Sequence, residues 1–296
     1  MYREKLEGVF APIVTPFDEE DEISYQGLEE NIKKLNSSRL RGYLVLGTNG
    51  EFKSLSEAEH RKVLETVIKI SAKDKMIMAG TGRESTKQSI IDTKEVAAMG
   101  AHFASLIAPS FFSKKMTDQV LSRHFRLISD VSPIPVLLYN NPEVAVVTFS
   151  TGLIGEVSKH PNIIGMKDSS KGNFASYLLA AGPDFNLLAG SATFFLEALV
   201  MGGVGGVLSI ANFAPEACCK VYDLWRAGKL EEAKAEQYKL MRLNQRVSGR
   251  FGVAGVKAAM DFAGFYGGRP RAPLSPLTSD ERKKLEEDLL NSGFLK

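Results

Sequence analysis

A lysine that directly follows a run of apolar residues is the group in this sequence with the clearest chemical potential. Lys167 follows the apolar residues 163–166 in the stretch NIIGMKDSS. Lysine is rarely buried completely, because desolvating its charge is costly. Two interpretations are open: the amine reaches water or pairs with Asp168, or a pocket holds it and burial favours its neutral form. A neutral amine can attack a carbonyl carbon and form a Schiff base.

Two other segments could assist such a reaction. Tyr139 ends the apolar run in PVLLYNNP; a phenol can act as a general acid or base, although a strand-end tyrosine usually only packs. The glycines of GTNGEF, residues 47–52, permit a tight turn whose amides converge on an anion, with Thr48 and Asn49 as side-chain donors. The segment lacks the Gly-Lys-Ser/Thr ending of a phosphate-binding P-loop, so a plain turn is also possible. We expect Glu51 to brace this turn rather than contact a ligand.

Small residues follow two later apolar runs. Gly190 and Ser191 come after the run in LLAGSAT, and Ser209 lies in GVLSIAN. Residues of this size leave room for a ligand, or they fit a crowded rim.

Composition and charge exclude several other classes of protein. The net charge is +2, from 37 basic and 35 acidic residues, which gives no electrostatic basis for binding nucleic acid or an anionic membrane. The four histidines have no metal-ligand spacing, so we expect no metal site. Cys218 and Cys219 are adjacent and indicate a reducing compartment. The N-terminal MYREKLEGVF has no apolar leader region, and we expect a cytoplasmic protein.

The elements that must position these groups alternate in a regular way. Eight short apolar runs are separated by amphipathic segments, and near-continuous apolar strands are typical of a parallel sheet buried on both faces. This alternation predicts a (β/α)₈ TIM barrel over residues 1–212, with an open doubly wound sheet as the competing interpretation. The predicted strands are 9–14, 43–46, 76–79, 103–107, 135–139, 163–166, 186–189 and 206–210.

Helical patterns lie between and after these strands. Ser56 and Glu59 have the spacing of a capping box. Residues 213–296 read as a C-terminal helical extension packed on the barrel as a single structural unit. The uncharged stretch 198–215 resembles a membrane span, but its glycines instead predict a helix end, a turn and a buried strand. The predicted helices are 56–70, 86–99, 117–128, 150–159, 174–180, 215–227, 230–247, 253–263 and 279–291.

In such a barrel the chemistry lies at the carboxyl ends of the strands. Lys167 would end the sixth strand and Tyr139 the fifth, so both would face the same mouth. In that mouth an amine can be functional, and the residues alone leave open a lysine that reaches water or pairs with Asp168.

Together these segments resemble the dihydrodipicolinate synthase / N-acetylneuraminate lyase family of Schiff-base aldolases. The resemblance runs from GVFAPIVTPF at Gly8 to APL at Ala272 and includes GTNGE, LYNNP and GMKDSS in order. It implies that Lys167 forms the imine, that Tyr139 shuttles protons with Thr48, and that Thr48 and Asn49 hold the carboxylate of a 2-oxo acid, usually pyruvate. It also implies that Gly190 and Ser209 line the substrate site, that no cofactor is needed, and that the chain forms a homotetramer.

Within the group, the sequence looks most like mitochondrial-type 4-hydroxy-2-oxoglutarate aldolases. The segments GTNGEF, GMKDSS and RFGVAGVKAAMDFAGFYGGRPRAPL carry this likeness, which would make Ser169 a substrate contact. The implied reaction is cleavage of a 4-hydroxy-2-oxo acid to pyruvate and an aldehyde. The alternatives are a 2-keto-3-deoxy sugar-acid aldolase, dihydrodipicolinate synthase itself, and a pyruvate-binding paralogue with little turnover.

The sequence departs from the family pattern at two places. The synthase has an arginine shortly after its YNxP motif, whereas this chain has Glu143 followed by valine and alanine. Lys171 and Arg83 are other cations that could hold a second carboxylate. The family often has paired tyrosines after the fourth strand, and here Phe111 and Phe112 occupy that segment. The usual three-residue proton relay therefore lacks one hydroxyl.

Overall fold

Eight parallel strands close into a barrel in the computed structural model, which describes residues 2–170 and 172–295. Each strand pairs with the next along the chain, and the eighth pairs with the first. This closure confirms the predicted TIM barrel and excludes the open sheet. The strands are β1 (Gly8–Pro12), β2 (Gly42–Val45), β3 (Met76–Gly80), β4 (Phe103–Ile107), β5 (Val136–Asn140), β6 (Ile163–Asp168), β7 (Asn186–Ala189) and β8 (Gly205–Val207).

Helices alternate with the strands and then form the C-terminal extension. Those before or between strands are α1 (Arg3–Leu6), α2 (Tyr25–Asn36), α3 (Glu57–Ile70), α4 (Thr86–Met99), α5 (Asp118–Val131), α6 (Pro142–Ala145), α7 (Thr151–Val157), α8 (Phe174–Ala180) and α9 (Phe195–Val200). Those after β8 are α10 (Pro215–Arg226), α11 (Leu230–Asn244), α12 (Arg250–Phe262) and α13 (Ser279–Asn291). The sequence patterns missed α1, α2 and α6, and for α9 they predicted only its end.

Two layers of apolar side chains hold the barrel. The inner layer fills the lumen below the mouth and includes Phe10, Leu44 and Leu188. The outer layer lies between the strands and the surrounding helices. At the start of α3, Ser56 and Glu59 form the predicted capping box. The plugged lumen leaves the carboxyl ends of the strands as the open end of the barrel.

The structure corrects two strand ends that matter for the site. The ladder of β6 continues past the apolar run, because Lys167 pairs with Leu188 and Asp168 with Ala189. At the eighth strand the ladder stops at Val207, and residue 209 begins a 3₁₀ turn, Ser209–Asn212. The side chain of Asn212 holds that turn by donating to the carbonyls of Pro12 and residue 209, both at 2.9 Å.

The helix predicted over 230–247 is also shorter than expected. Helix α11 ends at Asn244 and is followed by a π-helical turn, Gln245–Gly249, before α12. Within α12, Gly252 has φ 57° and ψ −141°, a conformation that glycine adopts without steric cost. This break bends the extension toward the mouth of the barrel.

The extension is tied closely to the barrel. Arg271 pairs with Glu59 of α3 at 2.7 Å, and Gln237 of α11 donates to the carbonyl of Ala192 at 2.8 Å. These contacts support our proposal that residues 1–212 and 213–296 form one structural unit. Among the described residues, no helix has both the length and the apolar character needed to cross a membrane.

Candidate active site

Lys167 lies inside the mouth of the barrel rather than at its wet rim. Lys167 is 6% exposed, and its amine nitrogen lies 4.0 Å from the centre of the Tyr139 ring. It does not pair with Asp168, whose carboxylate is bonded on the other face of β6 to Asn140 and Ser170. The structure therefore supports a lysine held in a pocket over one that reaches water or pairs with Asp168.

Strand register explains why the lysine and the tyrosine meet. Tyr139 of β5 and Lys167 of β6 are direct partners, so both side chains point to the same face of the barrel. The phenol oxygen accepts a hydrogen bond from Asn141 at 2.7 Å and shares one with Thr48 at 3.3 Å. Lysine, phenol and threonine hydroxyl thus form one contiguous cluster, as the sequence predicts.

The environment of Tyr139 favours its ionised form. Burial by itself raises the pKa of the phenol, because the phenolate is poorly solvated. The positive charge of Lys167 and hydrogen bonds from Thr48 and Asn141 outweigh burial, so the pKa lies below its ordinary value. A phenol in this state can both accept and return a proton.

The GTNGEF turn brings Thr48 and Asn49 to the wall of the same space. Residues Thr48–Gly50 form a 3₁₀ turn, and Thr15 fixes it by donating to the carbonyl of Gly50 at 2.8 Å. The Oδ1 of Asn49 accepts from Ser209 at 3.4 Å. The Nδ2 of Asn49 is buried and has no partner within the described chain. A buried amide donor without a partner is costly, and a bound carboxylate would satisfy it.

Gly190 and Ser169 lie side by side on the opposite wall. The amide of Gly190 donates to the carbonyl of Asp168 at 2.7 Å, and Ser169 lies within 3.5 Å of the Gly190 carbonyl. A Cβ atom at position 190 would lie 2.0 Å from the Ser169 hydroxyl oxygen. Only glycine fits here while that serine faces the cavity.

One cavity of about 620 Å³ is lined by all seven residues that the sequence analysis assigned to the site. Its size suits a small organic acid. Its outer wall includes hydroxyl and amide side chains that the sequence analysis did not single out for this site, namely Asn141, Thr193, Asn244, Gln245 and Ser248. Asn244 and Gln245 lie at the end of α11 and the start of the π-helical turn, where the sequence predicted continuous helix. Ser248 lies one residue beyond that predicted helix.

Of the cations that could hold a second carboxylate, Arg83 lies outside this cavity. Arg83 pairs with Asp92 at 2.5 Å and with His60 at 2.6 Å, outside the barrel mouth. Lys171 lies outside the described residues. Among the described residues that line the cavity, Lys167 is the one cation.

Phe111 and Phe112 extend away from the site. Their exposed fractions are 79% and 66%, and their rings stack edge to face at 4.9 Å. Neither lines the cavity, so this part of the described chain adds no second aromatic hydroxyl to the cluster.

The sequence analysis did not predict a buried polar network on the face of β6 opposite Lys167. Asp168 is fully buried and accepts from Asn140 at 2.7 Å and from Ser170 at 2.8 Å. Tyr177 of α8 joins the network through Asn140 at 3.1 Å. Burial raises the pKa of Asp168 despite these bonds. The network joins the ends of β5 and β6, the two strands that carry Tyr139 and Lys167.

The sequence matches the Dihydrodipicolinate synthetase family over residues 5–292. Over 293 residues it is 33% identical to the "Probable 4-hydroxy-2-oxoglutarate aldolase, mitochondrial" of Emericella nidulans, covering 96% of this chain and 94% of that protein. Over 291 residues it is 31% identical to the 4-hydroxy-tetrahydrodipicolinate synthase of Acidiphilium cryptum, covering 97% and 99%. The crystal structure of the chloride-inhibited dihydrodipicolinate synthase from Acinetobacter baumannii, complexed with pyruvate, has a TM-score of 0.92 at 27% identity, covering 98% of this chain and 100% of that one.

Proposed function

This chain belongs to the dihydrodipicolinate synthetase family, and we propose that it is a class I aldolase that cleaves a 4-hydroxy-2-oxo acid through a Schiff base on Lys167. Its relatives are lyases by name, both aldolase and synthase. Identities of 33% and 31% are too similar to rank these two activities. The ranking therefore rests on the residues of the site.

The observation that carries the proposal is the convergence of three groups in one cavity. The amine of Lys167 lies against the phenol of Tyr139, and Asn49, whose Nδ2 is buried without a partner in the described chain, lines the same cavity. An amine, a proton-transfer group and an anion donor are what imine chemistry on a 2-oxo acid requires. The Acinetobacter synthase, similar over nearly its whole length, is complexed with pyruvate, which supports pyruvate as the common fragment.

The reaction begins when the Lys167 amine attacks the C2 carbonyl of the substrate. Loss of water leaves a protonated imine, which serves as an electron sink and makes a cofactor unnecessary. Tyr139, assisted by Thr48, removes the proton of the C4 hydroxyl. The C3–C4 bond breaks, its electron pair moves into the iminium to give an enamine, and an aldehyde leaves.

The second half of the reaction returns the enzyme to its starting state. The enamine takes a proton at C3, and water attacks the imine carbon. Pyruvate is released and the amine of Lys167 is free again. Throughout, Thr48 and Asn49 hold the C1 carboxylate, a preorganised contact that keeps C2 near the amine. Ser169, Gly190 and Ser209 shape the remaining substrate surface.

We propose 4-hydroxy-2-oxoglutarate as the first substrate to test. The GMKDSS and GTNGEF segments and the fungal aldolase relative support this choice. The synthase reaction ranks lower on the same segments. The described cavity wall holds no guanidinium for a second carboxylate, which disfavours aspartate semialdehyde and leaves the C5 carboxylate of 4-hydroxy-2-oxoglutarate without such a partner as well.

A second substrate class has its own support in the outer wall of the cavity. The hydroxyl and amide groups there suit the hydroxyls of a 2-keto-3-deoxy sugar acid, since each can donate and accept hydrogen bonds. A pyruvate-binding paralogue is the non-enzymatic alternative. Retention of both Lys167 and Tyr139 argues against it, because binding alone requires neither group.

Turnover by the purified chain on a set of substrates tests the proposal. The set comprises 4-hydroxy-2-oxoglutarate, 2-keto-3-deoxygluconate, and pyruvate with aspartate semialdehyde. Pyruvate release, coupled to lactate dehydrogenase, should be faster on the first substrate than on the second. It should also be faster than condensation in the third mixture, which consumes pyruvate and is followed by its product, and Lys167→Ala should abolish all turnover. Faster cleavage of the sugar acid would select the second candidate, whereas imine formation without any turnover would select the binding paralogue.

We also propose a homotetramer in the cytoplasm, without nucleic-acid or membrane partners. The exposed Phe111 and Phe112 support association, because exposed aromatic pairs commonly mark interfaces. Two unpaired, buried cysteines, Cys218 and Cys219, support a reducing compartment. The fungal relative carries "mitochondrial" in its name, so fractionation of the source cells is the test of location.

A further inference from the structure

A second buried lysine lies beneath the GTNGEF turn, outside the catalytic cluster. Lys257 of α12 and Glu51 at the end of the turn form an ion pair at 2.5 Å, and each side chain is 1% exposed. Charged side chains are almost never buried this completely unless they are paired. A pair of this kind is weak evidence for stability, because desolvating both charges offsets much of their attraction. The presence of this buried ion pair therefore calls for an explanation other than stability.

The backbone conformation of Glu51 suggests what the ion pair does. Glu51 has φ 51° and ψ 37°, in the left-handed region that side chains other than glycine rarely adopt. A residue stays in that region only where its surroundings hold it there. The amide of Glu51 closes the 3₁₀ turn on the carbonyl of Thr48 at 3.0 Å, so the conformation of Glu51 sets the direction of Thr48 and Asn49.

Both carboxylate oxygens of Glu51 are held by the C-terminal extension. Oε1 contacts the amine of Lys257, and Oε2 accepts a hydrogen bond from the backbone amide of Arg271 at 2.8 Å. The amine of Lys257 also donates to the carbonyl of Arg269 at 2.6 Å and lies 4.6 Å from the ring centre of Phe17. The turn is thus fixed from below by residues far along the chain.

We propose that the Lys257–Glu51 pair is a positioning device that aims the Thr48–Asn49 donors at the substrate carboxylate. This inference rests on the proposed function, since it assumes that those donors bind a carboxylate. Neither charged group lines the cavity, so both act through the turn and neither touches substrate. Removing the pair should weaken carboxylate binding and leave the imine chemistry of Lys167 intact.

Borohydride trapping at increasing pyruvate concentration tests the proposal. In the full chain, Glu51→Gln and Lys257→Met should each raise the half-saturating pyruvate concentration by roughly tenfold to a hundredfold, the loss expected from a misplaced binding group. Trapping at saturating pyruvate should still label Lys167. Glu51→Asp keeps the charge but shortens the reach, and it should give an intermediate value.

Two further measurements separate positioning from a purely structural role. Methyl pyruvate has no carboxylate charge, so its half-saturating concentration should change much less than that of pyruvate. The double variant Glu51→Gln/Lys257→Met leaves no unpaired buried charge and should unfold at a higher temperature than either single variant. Its half-saturating pyruvate concentration should nevertheless stay raised. Recovery of pyruvate binding together with stability would overturn the proposal.

Lys75 provides a matched control. It is also buried, at 4% exposure, and its amine donates to the carbonyls of Ser38 and Leu40 at 2.8 and 2.9 Å, at the opposite end of the barrel. Lys75→Met should lower the unfolding temperature without changing pyruvate binding.

Unchanged pyruvate binding in folded Glu51→Asp and in the double variant would contradict the positioning role. Absence of trapping in the wild-type chain would instead reject the proposed function itself.

Discussion

Tyr139 and Lys167 are direct partners across β5 and β6, and the lysine amine lies 4.0 Å from the centre of the tyrosine ring. The contact lowers the pKa of the phenol, because the ammonium charge stabilises the phenolate. The contact also places the lysine Nζ over the face of the aromatic ring. One register pair thus positions both the proposed imine lysine and the proposed proton shuttle.

Tyr139→Phe should lower the cleavage rate by roughly 10²–10⁴-fold, the usual contribution of an acid–base group. Imine formation should survive at a reduced rate, since the amine and the anion donors remain. Pyruvate release measures the cleavage step, and borohydride trapping measures imine formation separately. Near-normal cleavage by this variant would show that another group moves the proton.

Association should depend on Phe111 and Phe112. We expect light scattering to give a mass about four times that of the 32.4 kDa chain, because a monomer would leave both rings in water. Replacing both phenylalanines by serine should shift the mass downward while leaving the fold intact. A wild-type mass of 32.4 kDa at micromolar concentration is the result that rejects the tetramer.

Acid should destabilise the protein through His124. Burial lowers the pKa of His124 from 6.5 to about 4, and Thr86 is bonded to its Nδ1 at 2.8 Å. Between these two values the unfolded chain binds a proton that the folded chain does not, so stability falls as the pH falls. The loss from pH 7 to pH 4.5 should be roughly 2–3 kcal/mol for this residue, at ~1.4 kcal/mol for each pKa unit.

His124→Gln should remove that part of the acid sensitivity, because glutamine does not titrate. Urea unfolding of both proteins at the two pH values gives the comparison. The variant should lose less stability than the wild type on acidification. Equal losses would mean that His124 does not contribute.

Cleavage of a 4-hydroxy-2-oxo acid with a single carboxylate should exceed condensation with aspartate semialdehyde in kcat/KM by at least one to two decades. A charge-assisted contact to a second carboxylate is worth about 1.5–3 kcal/mol, and the described residues of the cavity wall include no guanidinium that would supply it. Introducing an arginine by Val144→Arg, at a position that lines the cavity, should narrow the gap. Equal or better condensation by the wild type would make the synthase the leading assignment.

Local patterns in the sequence were sufficient to predict the barrel and the inner site. The apolar runs identify the strands, and in a parallel barrel the carboxyl ends of all the strands lie at the same mouth. For that reason Thr48, Tyr139, Lys167 and Gly190 could be assigned together before their distances were known. The family resemblance then gave each a role, which the geometry makes feasible but which remains a proposal.

Features that depend on contacts distant in sequence could not be predicted. Nothing near Glu51 indicates that Lys257 will lie beneath it, and the break after Asn244 has no local signal in a helical pattern. Lys167 and Asp168 look like the end of a strand because they are polar, yet tertiary pairing with β7 extends the ladder through both. The part of the cavity wall that Asn244, Gln245 and Ser248 form arises from these distant contacts.

Trapping of the pyruvate imine tests the central claim most directly. The chain is mixed with pyruvate, reduced with borohydride, digested and mapped by mass spectrometry, with Lys167→Ala treated in parallel. The account predicts one reduced pyruvate adduct, on the peptide that contains Lys167, and none on the variant, whose fold should be unchanged. An adduct on another lysine, or no adduct on the wild-type chain, would contradict it.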